Sequence, residues 1–336
     1  MNFQLTKEQE FVQKMVREFA KTEVEPLAAE IDQEHRFPVE TVEKMAKYGL
    51  LGIPFPTKYG GMGGDEVSYS ITVSELAKVC ASTSVIVSAH TSLCCWPIYK
   101  YGTEDQKMKY LPELLSGKKL GAFGLTEPNA GTDASGQQTR AELDGDEWVL
   151  NGAKCFITNG GYAEVFVVMA MTDKSKGNHG ISAFIVEKSD PGFSIGKTED
   201  KMGICASSTT ELIFQNCRIP KDRLLGGLGK GFKVAMQTLD GGRIGIASQA
   251  LGIAEGALEV TIEYMKQRKQ FGKKLAQMQA LQFVVADLAT KVEAAKLLVL
   301  KSAFCEDAGL PYGVPAAMAK LFAAETAMEV TTKCVQ

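Results

Sequence analysis

Apolar positions change their period twice along this chain. Up to about residue 118 they recur at three- and four-residue steps, the spacing of one helical face. Phe11, Val12, Met15, Val16 and Phe19 mark the first such face, and Thr6 with Gln9 ahead of it are spaced as a capping box. Pro26 is expected to kink or end that helix, because proline removes a hydrogen-bond donor. A second helix is predicted over 38–48, with Pro38 near its first turn and Gly49 just past its end. The stretch 52–64 holds Pro54, Pro56 and five glycines and reads as a loop. Helices are expected to resume near Asp65 and run past Trp96. Thr103 with Gln106 is a second capping box, and Gly117 closes the last helix of the block.

The period then shortens to two. Residues 140–143 and 147–150 flank Asp144-Gly145, a hairpin signal. Segments 165–171, 181–186 and 211–214 are further strands, punctuated by Gly and Pro. Helical spacing returns after Gly231, over 232–268, 277–308 and 315–336. The glycine cluster Gly226 to Gly231 reads as a linker, since no strand enters it at the spacing a phosphate loop needs. The predicted fold is multi-domain α and β: an N-terminal helical domain at 1–118, a middle β-barrel or sandwich domain at 119–222, and a C-terminal helical bundle at 223–336.

Composition narrows the function. Of 336 residues, 45% are hydrophobic and 23% charged, enough for a large core. A net charge of −3, from 37 basic and 40 acidic residues, argues against nucleic acid or an anionic membrane as partner. No basic start followed by an apolar run opens the chain, and no apolar stretch is long enough to span a bilayer, so a cytoplasmic place is expected. The eight cysteines form no Cys-x-x-Cys pair and the three histidines are scattered, which disfavours disulfides, zinc and any other metal site. No Gly-x-Ser-x-Gly hydrolase elbow occurs.

Two stretches combine an apolar strand with hydroxyls and small residues. One is Phe123-Gly124-Leu125-Thr126-Glu127-Pro128-Asn129-Ala130-Gly131-Thr132-Asp133, and the other is Cys155-Phe156-Ile157-Thr158-Asn159-Gly160-Gly161. Such turns let a large ligand approach the backbone, and free N–H groups in them hold anions. Alone, each is also an ordinary strand-to-loop corner. With Leu239-Asp240-Gly241-Gly242-Arg243-Ile244 and Gln267-Arg268-Lys269-Gln270-Phe271-Gly272 following in order, the whole chain resembles the acyl-CoA dehydrogenases, most closely the short-chain, butyryl-CoA group.

That resemblance implies FAD as cofactor and α,β-dehydrogenation of a fatty acyl-CoA, or the reverse, with electrons passed to an electron-transferring flavoprotein. It assigns Phe123, Leu125 and Thr126 to the flavin ring, and Thr132 to the pyrophosphate and the bound acyl-CoA. Phe156, Ile157 and Thr158 form the wall covering the ring, with Thr158 near its hydride-accepting edge. Arg268, Phe271 and Gln279 reach the FAD of a neighbouring copy, which implies a homo-oligomer, a dimer of dimers (homotetramer) in this family. Arg suits a pyrophosphate because its fork of donors matches paired oxygens. Asp240 and Arg243 contact the substrate. Gln336 takes the first place of a Gln-x-x-Gly-Gly segment on the adenosine side of FAD.

No residue takes the place of the family's catalytic glutamate. Its Tyr-Glu-Gly-Thr-like stretch does not occur before Gln336, and Gly242 stands at the alternative position, so the base is expected beyond Gln336. A helical bundle ending there is also expected to leave an apolar face uncovered. Two other readings stay open: a flavin- or acyl-CoA-binding homologue without chemistry, and an acyl-CoA oxidase.

Overall fold

The computed structural model describes residues 4–336. Its N-terminal block is helical: α1 (Lys7–Phe19), α2 (Glu25–Gln33), α3 (Val39–Lys47), α4 (Glu66–Ala77), α5 (Ala81–Ser88), α6 (Trp96–Tyr101) and α7 (Glu104–Leu115). Strands follow as β1 (Gly121–Gly124), β2 (Arg140–Asp144), β3 (Glu147–Thr158), β4 (Val165–Met171), β5 (Ile181–Glu187), β6 (Phe193–Thr198), β7 (Thr209–Pro220) and β8 (Leu224–Leu225). The chain then runs through α8 (Gly231–Gln267), a short hairpin of β9 (Lys269–Gln270) and β10 (Lys273–Lys274), α9 (Gln279–Asp307) and α10 (Gly313–Val335).

Both capping boxes form as read, Thr6 with Gln9 and Thr103 with Gln106. Pro26 does not end its helix. A π-helical segment, Ala20–Val24, carries the chain from α1 into α2, and a second one, Ala89–Cys95, joins α5 to α6. Each stops two residues before a proline, Pro26 or Pro97. Proline lacks the donor and its ring collides with the carbonyl four residues back, so the preceding turn widens rather than breaks. Phe11 departs from the expected face: Val16 and Phe19 are buried, but Phe11 is exposed. At 100° per residue it lies about 140° round the helix from Val16, outside the buried stripe.

The eight strands form one sheet in the order β6-β7-β3-β2-β4-β5-β8, with β1 pairing in parallel with β4. The hairpin joins β2 to β3 as expected, but its two loop residues are Gly145, at φ 63°, and Asp146. Strand β6 and the 269–274 hairpin had no counterpart among the predicted elements.

The chain condenses into two compact units, each assembled from separated stretches. One comprises residues 30–64 and 86–242 and contains the whole sheet. Its core has two apolar clusters, one including Phe123, Leu125, Val167 and Ile185, the other Ala122, Ile157, Phe166 and Phe214. The other unit comprises 1–29, 65–85 and 243–336. There α4 is buried on every side, and α8, α9 and α10 share a core that includes Leu251, Val292 and Ala323. The same three helices leave Val260, Tyr264, Phe283, Phe304, Met318 and Met328 exposed. Among the described residues no helix is long and apolar enough to cross a membrane.

Candidate active site

In the sheet-bearing unit, β1 is placed from behind by a helix. The Gly121 N–H donates to Nδ1 of buried His90 at 2.9 Å, which puts the imidazole proton on Nε2, facing the Leu114 carbonyl at 3.1 Å. Burial draws the His90 pKa down to about 4, so the ring stays neutral. A side chain on Gly121 would meet Cys94 at 2.5 Å, so only glycine lets the strand lie this close to the helix.

Alternation along β1 sends Ala122 into one cluster and Phe123 into the other, with Leu125 following Phe123. Half-buried Leu93, Trp96, Met236 and Leu239 pack on that second cluster. Past the strand, Glu127 and Ala130 close a tight turn through reciprocal backbone bonds of 3.2 and 3.0 Å. Ala130 is buried, while Gly131 and Thr132 are exposed, and the space a Gly131 side chain would fill is open.

The second stretch contains a bulge. Lys154 pairs with Leu212 and Ile157 with Thr210, so β3 advances three residues while β7 advances two. The extra residue reverses the alternation. Trp148, Leu150 and Lys154 face inward; without the bulge Phe156 would follow them. Instead Ile157 takes the inward place in the core, and Phe156 is 64% exposed at φ 60°. A bulky residue in the left-handed region is an outlier that its surroundings must hold. Asn159, buried at φ 65°, holds the far end: its N–H donates to the Ser208 carbonyl and its Nδ2 to the Ile86 carbonyl at 3.1 Å.

The two stretches meet directly. The Cys155 N–H donates to the Thr126 carbonyl at 2.9 Å. Fully buried Lys154 donates from Nζ to Leu125 O at 3.0 Å, Glu127 Oε1 at 2.7 Å and Gln137 Oε1 at 2.9 Å. Glu127 also accepts the N–H groups of Gln138 and Thr139 at 2.7 and 3.1 Å. Burial draws the Lys154 ammonium down to about 8 against the pull of Glu127. Burial would raise Glu127, but the charge and hydrogen bond of Lys154 overcome it and hold the carboxyl below its usual value. Sequence reasoning passed over this pair. The available signal was parity: Lys154 falls on the inward face of β3, where a cation requires a partner.

Thr126, Thr132, Phe156 and Thr158 thus end on adjoining backbone segments, with Phe123, Leu125 and Ile157 packed into the core beneath. No protein group takes the hydroxyl of Thr126, Thr132 or Thr158 among the described residues. Asp240, near the end of the sheet-bearing unit, and Arg243, in the other unit, are half-buried, three residues apart on α8.

The other unit holds the remaining expected residues. Phe271 and Gly272, at φ 51° and 72°, form the two-residue turn between β9 and β10, and Phe271 is 92% exposed. Positive φ at both central residues is the turn that matches strand twist. Arg268 sits at the base of the hairpin, where its carbonyl accepts from Leu275 at 2.9 Å. Gln279 is the first residue of α9, a terminus that favours anions, and Gln336 is exposed past the end of α10. Among the described residues no group of three or more His, Cys, Asp or Glu is placed to hold a metal ion.

Family models described as the acyl-CoA dehydrogenase N-terminal, middle and C-terminal domains match residues 6–118, 122–217 and 229–336. An acyl-CoA dehydrogenase, short-chain specific, from Clostridium acetobutylicum is 60% identical over 336 residues, all of this chain and 89% of that protein. The solved butyryl-CoA dehydrogenase of Megasphaera elsdenii is 52% identical with a TM-score of 0.98, over 100% of this chain and 89% of its own. A chain in a structural study of the electron transferring flavoprotein of Acidaminococcus fermentans, concerned with flavin-based electron bifurcation, is 56% identical with a TM-score of 0.99, over 100% of this chain and 88% of its own. With its helical, β and helical parts in that family's order, the chain belongs to the acyl-CoA dehydrogenase family.

Proposed function

We propose that this protein catalyses FAD-dependent α,β-dehydrogenation of a short-chain acyl-CoA, interconverting butyryl-CoA and crotonyl-CoA, and exchanges electrons with an electron-transferring flavoprotein. The observation that carries the reading is the β3 bulge. It holds an exposed aromatic in a costly backbone conformation beside Thr126 and Thr158, and the ring itself is left outside the core that Ile157 joins.

The residues present fit a flavin. Phe156 offers a flat apolar face, Thr126 and Thr158 offer hydroxyls with no protein partner among the described residues, and the space beside Gly131 is open. Bound FAD supplies the two-electron acceptor. In this reading Phe123, Leu125 and Ile157 support the ring site from the core, and Thr158 donates to the ring edge. Thr132 donates to the pyrophosphate and touches the acyl-CoA. Asp240 and Arg243 orient the thioester. Gly242 carries no side chain, so that position of α8 offers no acceptor for the α-proton, and the nearby Asp240 carboxylate is assigned to substrate contact. Phe156 and the apolar residues packed with Phe123 exclude water, which strengthens polarisation of the thioester carbonyl.

Arg268, Phe271 and Gln279 are proposed to reach the FAD of another copy, and Gln336 the adenosine side of FAD. A homo-oligomer, arranged as a dimer of dimers, follows from that assignment. The near-complete exposure of Phe271 and the apolar residues left open on α8, α9 and α10 support it. A cytoplasmic place is proposed with it.

The test is a titration of flavin-free protein with FAD, followed by addition of crotonyl-CoA. Quenched flavin fluorescence, resolved visible bands and a further band shift with crotonyl-CoA, weaker with a long-chain acyl-CoA, are expected. Unchanged flavin fluorescence on mixing overturns the proposal.

A further inference from the structure

The buried lysine behind the site is assigned no role in holding or oxidising a thioester, and its placement is costly. Taking a charged ammonium and a carboxylate out of water costs several kcal/mol each before their attraction is counted. The cost falls at one spot. Lys154 bonds to the carbonyl of Leu125 and to the side chain of Glu127, the residues on either side of Thr126. Its own strand turns outward two residues later, at Phe156. Through Gln137 it holds the far end of the loop containing Thr132, and Glu127 ties the same end through the N–H groups of Gln138 and Thr139.

We infer that Lys154 is a positioning residue for the flavin: its ammonium fixes the Thr126 segment against the bulge that presents Phe156 and Thr158, and Glu127 extends that constraint to the loop of Thr132. Three directional bonds from one atom specify a backbone geometry that apolar packing does not. A buried ion pair is weak support for stability in general, since replacing both partners with apolar groups is often neutral. The pair therefore serves geometry more than stability. This inference rests on the flavin reading above.

The experiment compares the whole chain with the paired variant Lys154→Met/Glu127→Leu and with the single variant Gln137→Leu, which removes one acceptor and leaves both charges. Thermal midpoint, FAD affinity by fluorescence quenching and the visible spectrum of bound flavin are recorded for each. The paired variant is expected to melt within a few degrees of wild type yet bind FAD at least about tenfold more weakly, with blurred flavin bands. The Gln137 variant is expected to shift affinity and bands in the same direction by less. Either variant folded with wild-type affinity and wild-type bands overturns the inference and leaves the flavin reading standing. A wild-type chain that binds no FAD overturns the flavin reading and this inference with it.

Discussion

Two phenylalanines in this chain adopt the same unfavourable backbone conformation, and their surroundings differ. Phe156, at φ 60°, emerges from a bulge braced by Lys154, Glu127, the Cys155–Thr126 bond and buried Asn159. Phe271, at φ 51°, tips a hairpin whose strands are two exposed residues each. In the first case the fold over-determines the strained residue from within. In the second, the described residues supply little beyond the turn itself. A strained aromatic braced from inside belongs to a site built within its own unit, whereas one left on a thin hairpin gains its use from something that approaches it. The comparison supports giving Phe156 to the chain's own cofactor and Phe271 to that of another copy.

Removing the brace should have the largest effect. Lys154→Met alone leaves Glu127 charged in a buried place, which is expected to destabilise the fold by about 3–5 kcal/mol. Urea unfolding measures this, and a loss below about 1 kcal/mol would show that Glu127 finds water or another donor. The paired variant should recover most of that loss, so the two results together separate the cost of an unpaired charge from the geometry the pair imposes.

A second brace should respond to pH. His90 accepts from the first residue of β1 and titrates near 4 in the fold, against 6.5 ordinarily. Between those values the unfolded chain binds a proton that the folded chain does not, so stability falls as pH drops from about 6.5 towards about 4. At pH 5 the share due to His90 is about 2 kcal/mol. Denaturation at pH 7 and pH 5 on wild type and His90→Asn checks this, the variant being expected to lose that share of the acid slope. Among the described residues the hairpin side has no buried brace of this kind: Lys269, Lys273 and Lys274 are exposed.

How far the sequence discloses these two places follows from the range of the interactions involved. Capping boxes and strand β4 involve residues close in sequence and read correctly to the residue. The hydroxyl-bearing stretches were visible for the same reason. The bulge was not, because it depends on the register of β3 against β7, more than fifty positions away. Phe156 could therefore be named but not turned outward. Lys154 escaped notice because its partners come from another stretch and its meaning depends on which face of β3 is buried. The 269–274 hairpin hid in a basic run, since Lys269, Lys273 and Lys274 give no alternation to read. The assembly of each compact unit from separated stretches depends on tertiary packing that no local pattern encodes.

The smallest effect, and the sharpest on the contrast between the two phenylalanines, is expected from Phe271→Asn. The substitution places Asn-Gly in the turn, the pair whose left-handed tolerance best suits two residues of positive φ. Phe271 is 92% exposed, so its ring contributes almost no burial to lose. Removing the strain should raise the stability of the isolated chain by about 0.5–1 kcal/mol. If the ring serves a neighbouring copy, the same change should weaken FAD binding in the oligomer while the chain itself melts higher. For Phe156→Asn the strain relief is similar, and FAD binding should fall whether or not copies associate. Affinity measured at protein concentrations above and below the association range separates the two: a Phe271 defect confined to the associated state supports the contrast, and a defect of equal size in the dispersed chain would place both rings in one chain's own site.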